Sequence, residues 1–204
     1  MANIIFPMIE SALKTKELLV DVARKLFAEK GFGGTTMNDI ANISKKGRRT
    51  LYTYFNNKDA IYVAVIQTEL RQLSEKLKFV VDRKNMGPDE KLVEYIYVRM
   101  DAIKEIVVRN GELKAEFFLD VQRVERVRRR LDFREKSILR DILKEGMDKG
   151  VFEWRDPDFT ALSLHYALKG FEIPYVRGEF DRITIHKREL IIDTLMNGLR
   201  KRKR

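Results

Sequence analysis

The run Gly31-Phe32-Gly33-Gly34-Thr35-Thr36-Met37-Asn38-Asp39-Ile40-Ala41-Asn42-Ile43-Ser44-Lys45-Lys46-Gly47-Arg48-Arg49-Thr50-Leu51-Tyr52-Thr53-Tyr54-Phe55-Asn56-Asn57-Lys58-Asp59 decides the fold of this 204-residue chain. Thr36 stands three residues before Asp39, the spacing of a capping box in which hydroxyl and carboxylate satisfy free backbone N–H groups. A short helix therefore starts there and runs through Ile40, Ala41 and Ile43. Lys45-Lys46-Gly47 forms a turn, and another short helix covers Arg48 to Phe55. Upstream, between Ser11 and Glu29, Leu18/Leu19, Val22/Ala23 and Leu26/Phe27 recur every four residues as one buried stripe. Gly31 follows as a left-handed stop. Three helices with a tight turn between the second and third match the helix-turn-helix pattern.

The third helix is expected to be pinned by Leu51 and Phe55 against Ile40 and Phe27, leaving Arg48, Arg49, Thr50 and Tyr52 on its outer side. A recognition helix reads base edges in the major groove with its N-terminal residues, while neighbouring groups hold phosphates. Between positions 44 and 58 stand Lys45, Lys46, Arg48, Arg49 and Lys58 with no acidic residue. Each such cation that neutralises a phosphate releases counterions, so the surface suits salt-dependent polyanion binding. Arg48 or Arg49 is assigned to a guanine, because bidentate Arg to O6/N7 is the commonest specific contact. Thr36, Lys45, Lys46, Thr50, Tyr52, Tyr54 and Lys58 complete the expected DNA-binding set, with Thr50, Tyr52, Tyr54 and Lys58 mainly on phosphate and sugar. The alternative for the two tyrosines is burial in the core.

Over residues 14–62 the chain resembles the TetR family of bacterial transcriptional repressors. The resemblance rests on Leu26-Phe27 to Gly31-Phe32, Thr35-Thr36, Ile40-Ala41, and Thr50-Leu51-Tyr52 with Tyr54-Phe55 and Asn57-Lys58. It implies an all-helical homodimer whose N-terminal heads contact operator DNA and whose C-terminal bodies dimerise and often hold a small effector. Ser44-Lys45-Lys46-Gly47 departs from the family's usual Ala-Gly-Val-Ser. Gly47 thus stands where a hydroxyl N-cap is usual, at a cost of about a few tenths of a kcal/mol. Lys45 takes the place of the turn glycine and is expected to be strained.

The rest of the chain also reads as helix. Val65, Ile66, Leu70, Leu73, Leu77 and Val80 mark one helix over Ile61 to Val81, ended by Asn85-Met86-Gly87-Pro88. Pro88 opens the next, through Leu92, Ile96, Met100, Ile103 and Val107 to Asn110-Gly111. A segment from Glu112 to about Val124 leads into a charged helix from Glu125 to Lys149, closed by Gly150. Asp156-Pro157 is an N-cap and first-turn proline for a helix reaching about Ile173, stopped by Pro174 and Gly178, and a last helix runs from about Thr184 to Leu199. The expected fold is all-α, with about nine helices. Its expected division is a helix-turn-helix domain over 1–58, a helical effector-binding and dimerisation domain over 59–199, and a basic tail over 200–204.

Tyr97, Met100, Phe117, Phe118 and Tyr166 are the candidate wall of an effector pocket, with an apolar or amphipathic ligand expected; plain core is the alternative for each. Leu168, Phe171, Leu190 and Leu195 are the candidate dimer contacts, with burial inside one subunit as the alternative. Dimerisation also follows from mechanism, because one short recognition helix covers too few base pairs to be selective.

Composition narrows the remaining classes. The net charge of +10 sits at the ends: residues 1–60 carry ten Lys/Arg against six Asp/Glu, and Arg200 to Arg204 are all basic. A localised excess of this kind is the footprint of a polyanion binder. The absence of cysteine removes disulfides, thiol nucleophiles and thiolate metal sites, and suits the cytoplasm. Neither a signal-peptide pattern nor an apolar run long enough for a membrane span is present. Gly31-Phe32-Gly33-Gly34 lacks the Gly-Lys-Ser/Thr of a phosphate loop. His165 and His186, the only histidines, lack a metal-binding spacing, so no metal, cofactor or catalytic residue is expected. The arginines between Arg123 and Arg130 read as a solvated face, with an acidic ligand or partner as the alternative. The sequence thus points to a DNA-binding regulator, a repressor released by a small molecule; the alternative is a nucleic-acid binder without sequence preference.

Overall fold

The structure, a computed structural model, describes residues 2–111, 121–171 and 185–200. Eight helices are found among the described residues: α1 (Ala2–Lys30), α2 (Met37–Ile43), α3 (Arg48–Tyr54), α4 (Lys58–Val81), α5 (Pro88–Arg109), α6 (Val121–Asp148), α7 (Pro157–Gly170) and α8 (Ile185–Leu199). The chain is all-α. The only pairing of extended backbone among these residues is an isolated antiparallel bridge between Phe152 and Arg200.

The helix ends follow local chemistry. Gly31, at φ +71°, closes α1, and its N–H reaches the Phe27 carbonyl at 2.9 Å. The Thr36 hydroxyl accepts from the Asp39 N–H at 3.2 Å, and the Asp39 carboxylate accepts from the Thr36 N–H at 2.9 Å, completing the capping box. The Asn57 side-chain oxygen accepts from the Ala60 N–H at 2.8 Å, which starts α4 three residues before the apolar pattern does. The Asp156 carboxylate accepts from the N–H groups of Asp158 and Phe159, with Pro157 in the first turn of α7. Helix α1 departs from expectation by starting at Ala2 instead of Ser11, with Pro7 inside it. Pro7 lies beyond the first turn, where its ring removes one ladder bond and crowds the carbonyl four residues before it.

The chain divides into two compact units: Met1–Glu69 with Val108–Val124, and Leu70–Val107 with Glu125–Arg204. In the first, the head unit, Leu19, Ala23, Leu26 and Phe27 of α1 are buried, together with Ile40, Leu51, Phe55, Ile61, Tyr62, Val65 and Ile66. Phe27, Phe32 and Tyr62 meet at ring-centroid distances of 5.1 to 6.0 Å, with Tyr62 edge-on to both phenylalanines. Glu69, buried on α4, pairs with Arg109 at the end of α5, and the Arg24 guanidinium donates to the Arg109 carbonyl at 3.4 Å.

In the second, the body unit, Leu73, Leu77 and Val80 of α4 are buried, as are Leu92, Tyr95, Ile96 and Met100 of α5. Leu139, Ile142 and Leu143 of α6, Leu164 and Leu168 of α7, and Ile192 and Met196 of α8 complete this core. One ionic group lies inside it. Glu135 of α6 is buried beside Arg99 of α5, 3.4 Å from the guanidinium, and beside His165 of α7. Burial alone would push the Glu135 carboxyl up, but Arg99 and His165 outweigh it and hold the carboxyl below the usual glutamate range. A carboxyl lowered in this way stabilises the fold at pH values above its unfolded-state value of about 4.5, and that stability is lost as pH falls through the folded value. Urea unfolding at pH 7 and at pH 3.5 is therefore expected to show a larger acid loss in the natural protein than in Glu135→Gln.

Candidate DNA-reading surface

The turn between α2 and α3 places the predicted cations. Ser44 caps α2, the Lys45 N–H donates to the Asn42 carbonyl at 3.2 Å, and the Lys46 N–H reaches back to Ala41 at 3.1 Å. This is a Schellman ending, and it puts Lys45 at φ +53°, the one non-glycine residue with positive φ among those described. The strain expected of Lys45 is therefore present. Left-handed backbone costs an L-residue about 1–2 kcal/mol, and glycine's extra freedom in the unfolded chain gives back about 0.4–1. Lys45→Gly is expected to raise stability by about 0.5–1 kcal/mol in urea unfolding, while Lys45→Ala, which keeps the strain, leaves it nearly unchanged.

Gly47 is the N-cap of α3 in extended backbone, with no side-chain cap bond. Leu51 and Phe55 are buried, so the opposite side of the seven-residue helix faces outward. Lys45, Arg48, Arg49, Thr50 and Tyr52 are exposed, and Lys46 and Tyr54 are half-buried. The Arg48 guanidinium lies 5.9 Å from the centre of the Tyr52 ring, one turn along the same face. Among the described residues none of Lys45, Lys46, Arg48 or Arg49 is held in an ion pair, so all four charges remain available to an anion. The Thr36 side chain is engaged in its capping box.

Lys58 points the other way from the groove role expected of it. Its ammonium donates to the carbonyls of Phe32 at 2.6 Å and Thr35 at 2.9 Å and stands 4.2 Å from the centre of the Phe32 ring. Two of its three donors thus tie the start of α4 to the loop before α2. Sequence reasoning also missed two lysines of α1. Lys16 lies 5.9 Å from the Phe55 ring, and Lys14, paired with Glu10, shares a shallow hollow with Lys46. On the sequence both look like ordinary solvated positions, and only folding brings them near the turn.

Residues 19–65 match the family described as "Bacterial regulatory proteins, tetR family". The head thus carries a TetR-family segment, and the chain is similar to transcriptional regulators of that family. The regulator is similar to the "Probable acrEF/envCD operon repressor" of Escherichia coli (strain K12), at 29% identity over 167 residues, covering 78% of this chain and 74% of that protein. In fold it is similar to reduced NemR of E. coli, at 15% identity and a TM-score of 0.72, covering 94% of this chain and 100% of that one. It is likewise similar in fold to FadR of Bacillus subtilis, solved in complex with stearoyl-CoA, at 18% identity and a TM-score of 0.69, covering 89% and 98%.

The other predicted residues that the structure describes lie in the body unit. Tyr97 lines an open hollow with Arg83, Met86 and Glu94, and Met100 is closed into the core. Tyr166 is 59% exposed on α7, while Phe117 and Phe118 lie outside the described residues. Leu168, expected at the dimer contact, is only 1% exposed within a single chain, so no surface remains on it for a partner. The reason is helical period: α7 buries Ala161, Leu164, His165 and Leu168 and turns Phe159, Leu162 and Tyr166 outward. Phe171 is half-buried at the C-cap of α7. On α8, Leu190 is exposed and Leu195 half-buried, and a hollow of about 450 Å³ between α7 and α8 is lined by Phe159, Ser163, Ala167 and Leu195. No helix among the described residues is long and apolar enough to cross a membrane.

Proposed function

We propose that the regulator binds operator DNA as a homodimer and acts as a repressor released by a small effector. The observation that carries this reading is the set of four cations, free of ion pairs, from Lys45 to Arg49, at the start of a helix whose other face is buried. Arg48 and Arg49 read base edges, with guanine as the partner of at least one of them, and Lys45, Lys46, Thr50 and Tyr52 hold phosphate and sugar. Thr36 and Lys58 support that surface through the capping box and the loop carbonyls they hold. Residues 1–58 act as the DNA-reading domain, 59–199 as the effector and dimerisation domain, and 200–204 as a basic tail.

The dimer contact on this reading is the outward face of α7 and α8, with Phe159, Leu162, Tyr166 and Leu190 replacing Leu168 at its centre. Exposed apolar side chains at helical spacing suit a partner surface better than water. An apolar or amphipathic effector bound in the body changes the spacing of the two heads, in line with the stearoyl-CoA held by the FadR relative in fold. The role is binding rather than catalysis, in the cytoplasm.

Selection of sites from random duplex DNA at physiological salt tests the reading. The expected result is a palindromic motif with one preferred half-site spacing, its half-sites about 34 Å apart or a multiple of that. Enrichment without a motif, together with a steep salt dependence, would replace it by a nucleic-acid binder without sequence preference.

A further inference from the structure

The ionic group in the body unit contains more than an Arg–Glu pair. Asp132 and Glu135 stand three residues apart on α6, and His165 and Lys169 four apart on α7, so each pair shares one helix face. His165 Nδ1 lies 3.2 Å from a Glu135 carboxylate oxygen, and Nε2 lies 3.7 Å from an Asp132 oxygen. Lys169 holds the other Asp132 oxygen at 2.7 Å, and Arg99 holds Glu135 at 3.4 Å while donating to the Leu168 carbonyl at 3.3 Å.

The histidine is the anomaly. It is 1% exposed, and neither ring nitrogen has a hydrogen-bond partner. Glu135 faces one ring nitrogen and Asp132 the other, so one imidazole and two carboxylate oxygens converge from three positions. A largely buried donor set of this composition suits a cation held among the groups. One ligand atom from each of Asp132, Glu135 and His165 lies within 4.8 Å of the others, close enough to converge on a single ion.

We propose that Asp132, Glu135 and His165 form a binding site for one divalent first-row transition-metal ion. One imidazole nitrogen and two carboxylate oxygens suit zinc, iron(II), cobalt or manganese, and solvent completes the shell. Charge decides how the ion enters. Added to the present group it would sit beside two cations and two anions, leaving two positive charges uncompensated in a low-dielectric core. Lys169 is 27% exposed and its ammonium can turn out to solvent, which halves that excess. Arg99 is buried and stays on Glu135, orienting the carboxylate as outer-shell partners of metal ligands do. Binding is therefore an exchange of the Lys169 ammonium for the metal ion. The spacing of the histidines along the sequence gave no sign of this site, because its acidic members come from a different helix.

The test is zinc titration of the metal-free full-length protein against a chelating indicator, read without DNA and so independent of the operator reading. One ion per chain is expected. His165→Gln and Asp132→Asn each weaken uptake at least about tenfold, while His186→Gln leaves it unchanged. Lys169→Met, which removes the competing ammonium, tightens it. Should His165→Gln fail to fold, Asp132→Asn and Lys169→Met carry the test through their opposite signs. Absence of zinc uptake, uptake that survives Asp132→Asn, or a Lys169→Met protein that binds no more tightly would each overturn the proposal.

Discussion

Arg49→Ala is expected to weaken binding to the selected operator by about 30-fold to 10⁴-fold while changing affinity for random DNA far less. A bidentate Arg–guanine contact discriminates by about 1–3 kcal/mol, and a dimer makes it twice, so about 2–6 kcal/mol is at stake. Arg49 is exposed on α3 with no ion pair among the described residues, so removing it breaks nothing inside the head. Lys45→Ala provides the contrast. A lysine on phosphate adds sequence-independent affinity, so its loss weakens operator and random DNA alike and lowers the slope of log K against log salt by about one per contact. Binding isotherms for both variants at several salt concentrations separate the roles. If Arg49→Ala weakened all sequences equally, base reading would pass to Arg48, whose guanidinium lies near the Tyr52 ring.

The parts of this structure that could be read from the sequence are those fixed by contacts a few residues long. The Thr36–Asp39 capping box and the Asp156-Pro157 start of α7 each involve groups within three positions of one another, so residue type and spacing suffice. The positive φ of Lys45 was readable for the same reason. What escaped depends on distant partners. Lys58 faces Phe32, 26 residues away, and a lysine beside a recognition helix looks the same on paper whether it meets a phosphate or a carbonyl. Leu168 and Leu162 are both apolar residues of one helix, and only the packing of α5 and α6 decides which is core and which is surface. Tyr97, Met100 and Tyr166 show a related limit: helical spacing marks such positions without saying which of them face a hollow, the core or solvent.

The largest stability effect is expected from Arg99→Met. The guanidinium is 3% exposed and its partner Glu135 only 1%, so the substitution leaves a carboxylate in the core without its main counter-charge. It also removes the donor to the Leu168 carbonyl. Breaking a buried pair from one side costs about 3–5 kcal/mol, because the remaining ion keeps its desolvation penalty. The lower end of that range is expected here, since His165 still faces Glu135 at 3.2 Å. Glu135→Leu added to Arg99→Met is expected to recover most of the loss, as apolar replacement of both partners is often neutral or stabilising. The coupling in this double-mutant cycle is best measured by urea unfolding at pH 7 in the presence of a chelator, which keeps metal binding at Asp132, Glu135 and His165 out of the comparison. A strong coupling would mean that the pair is dry and acts as a unit joining α5 to α6. A cost below about 1 kcal/mol would mean instead that water reaches Glu135, since only a solvated carboxylate tolerates the loss of its partner so cheaply.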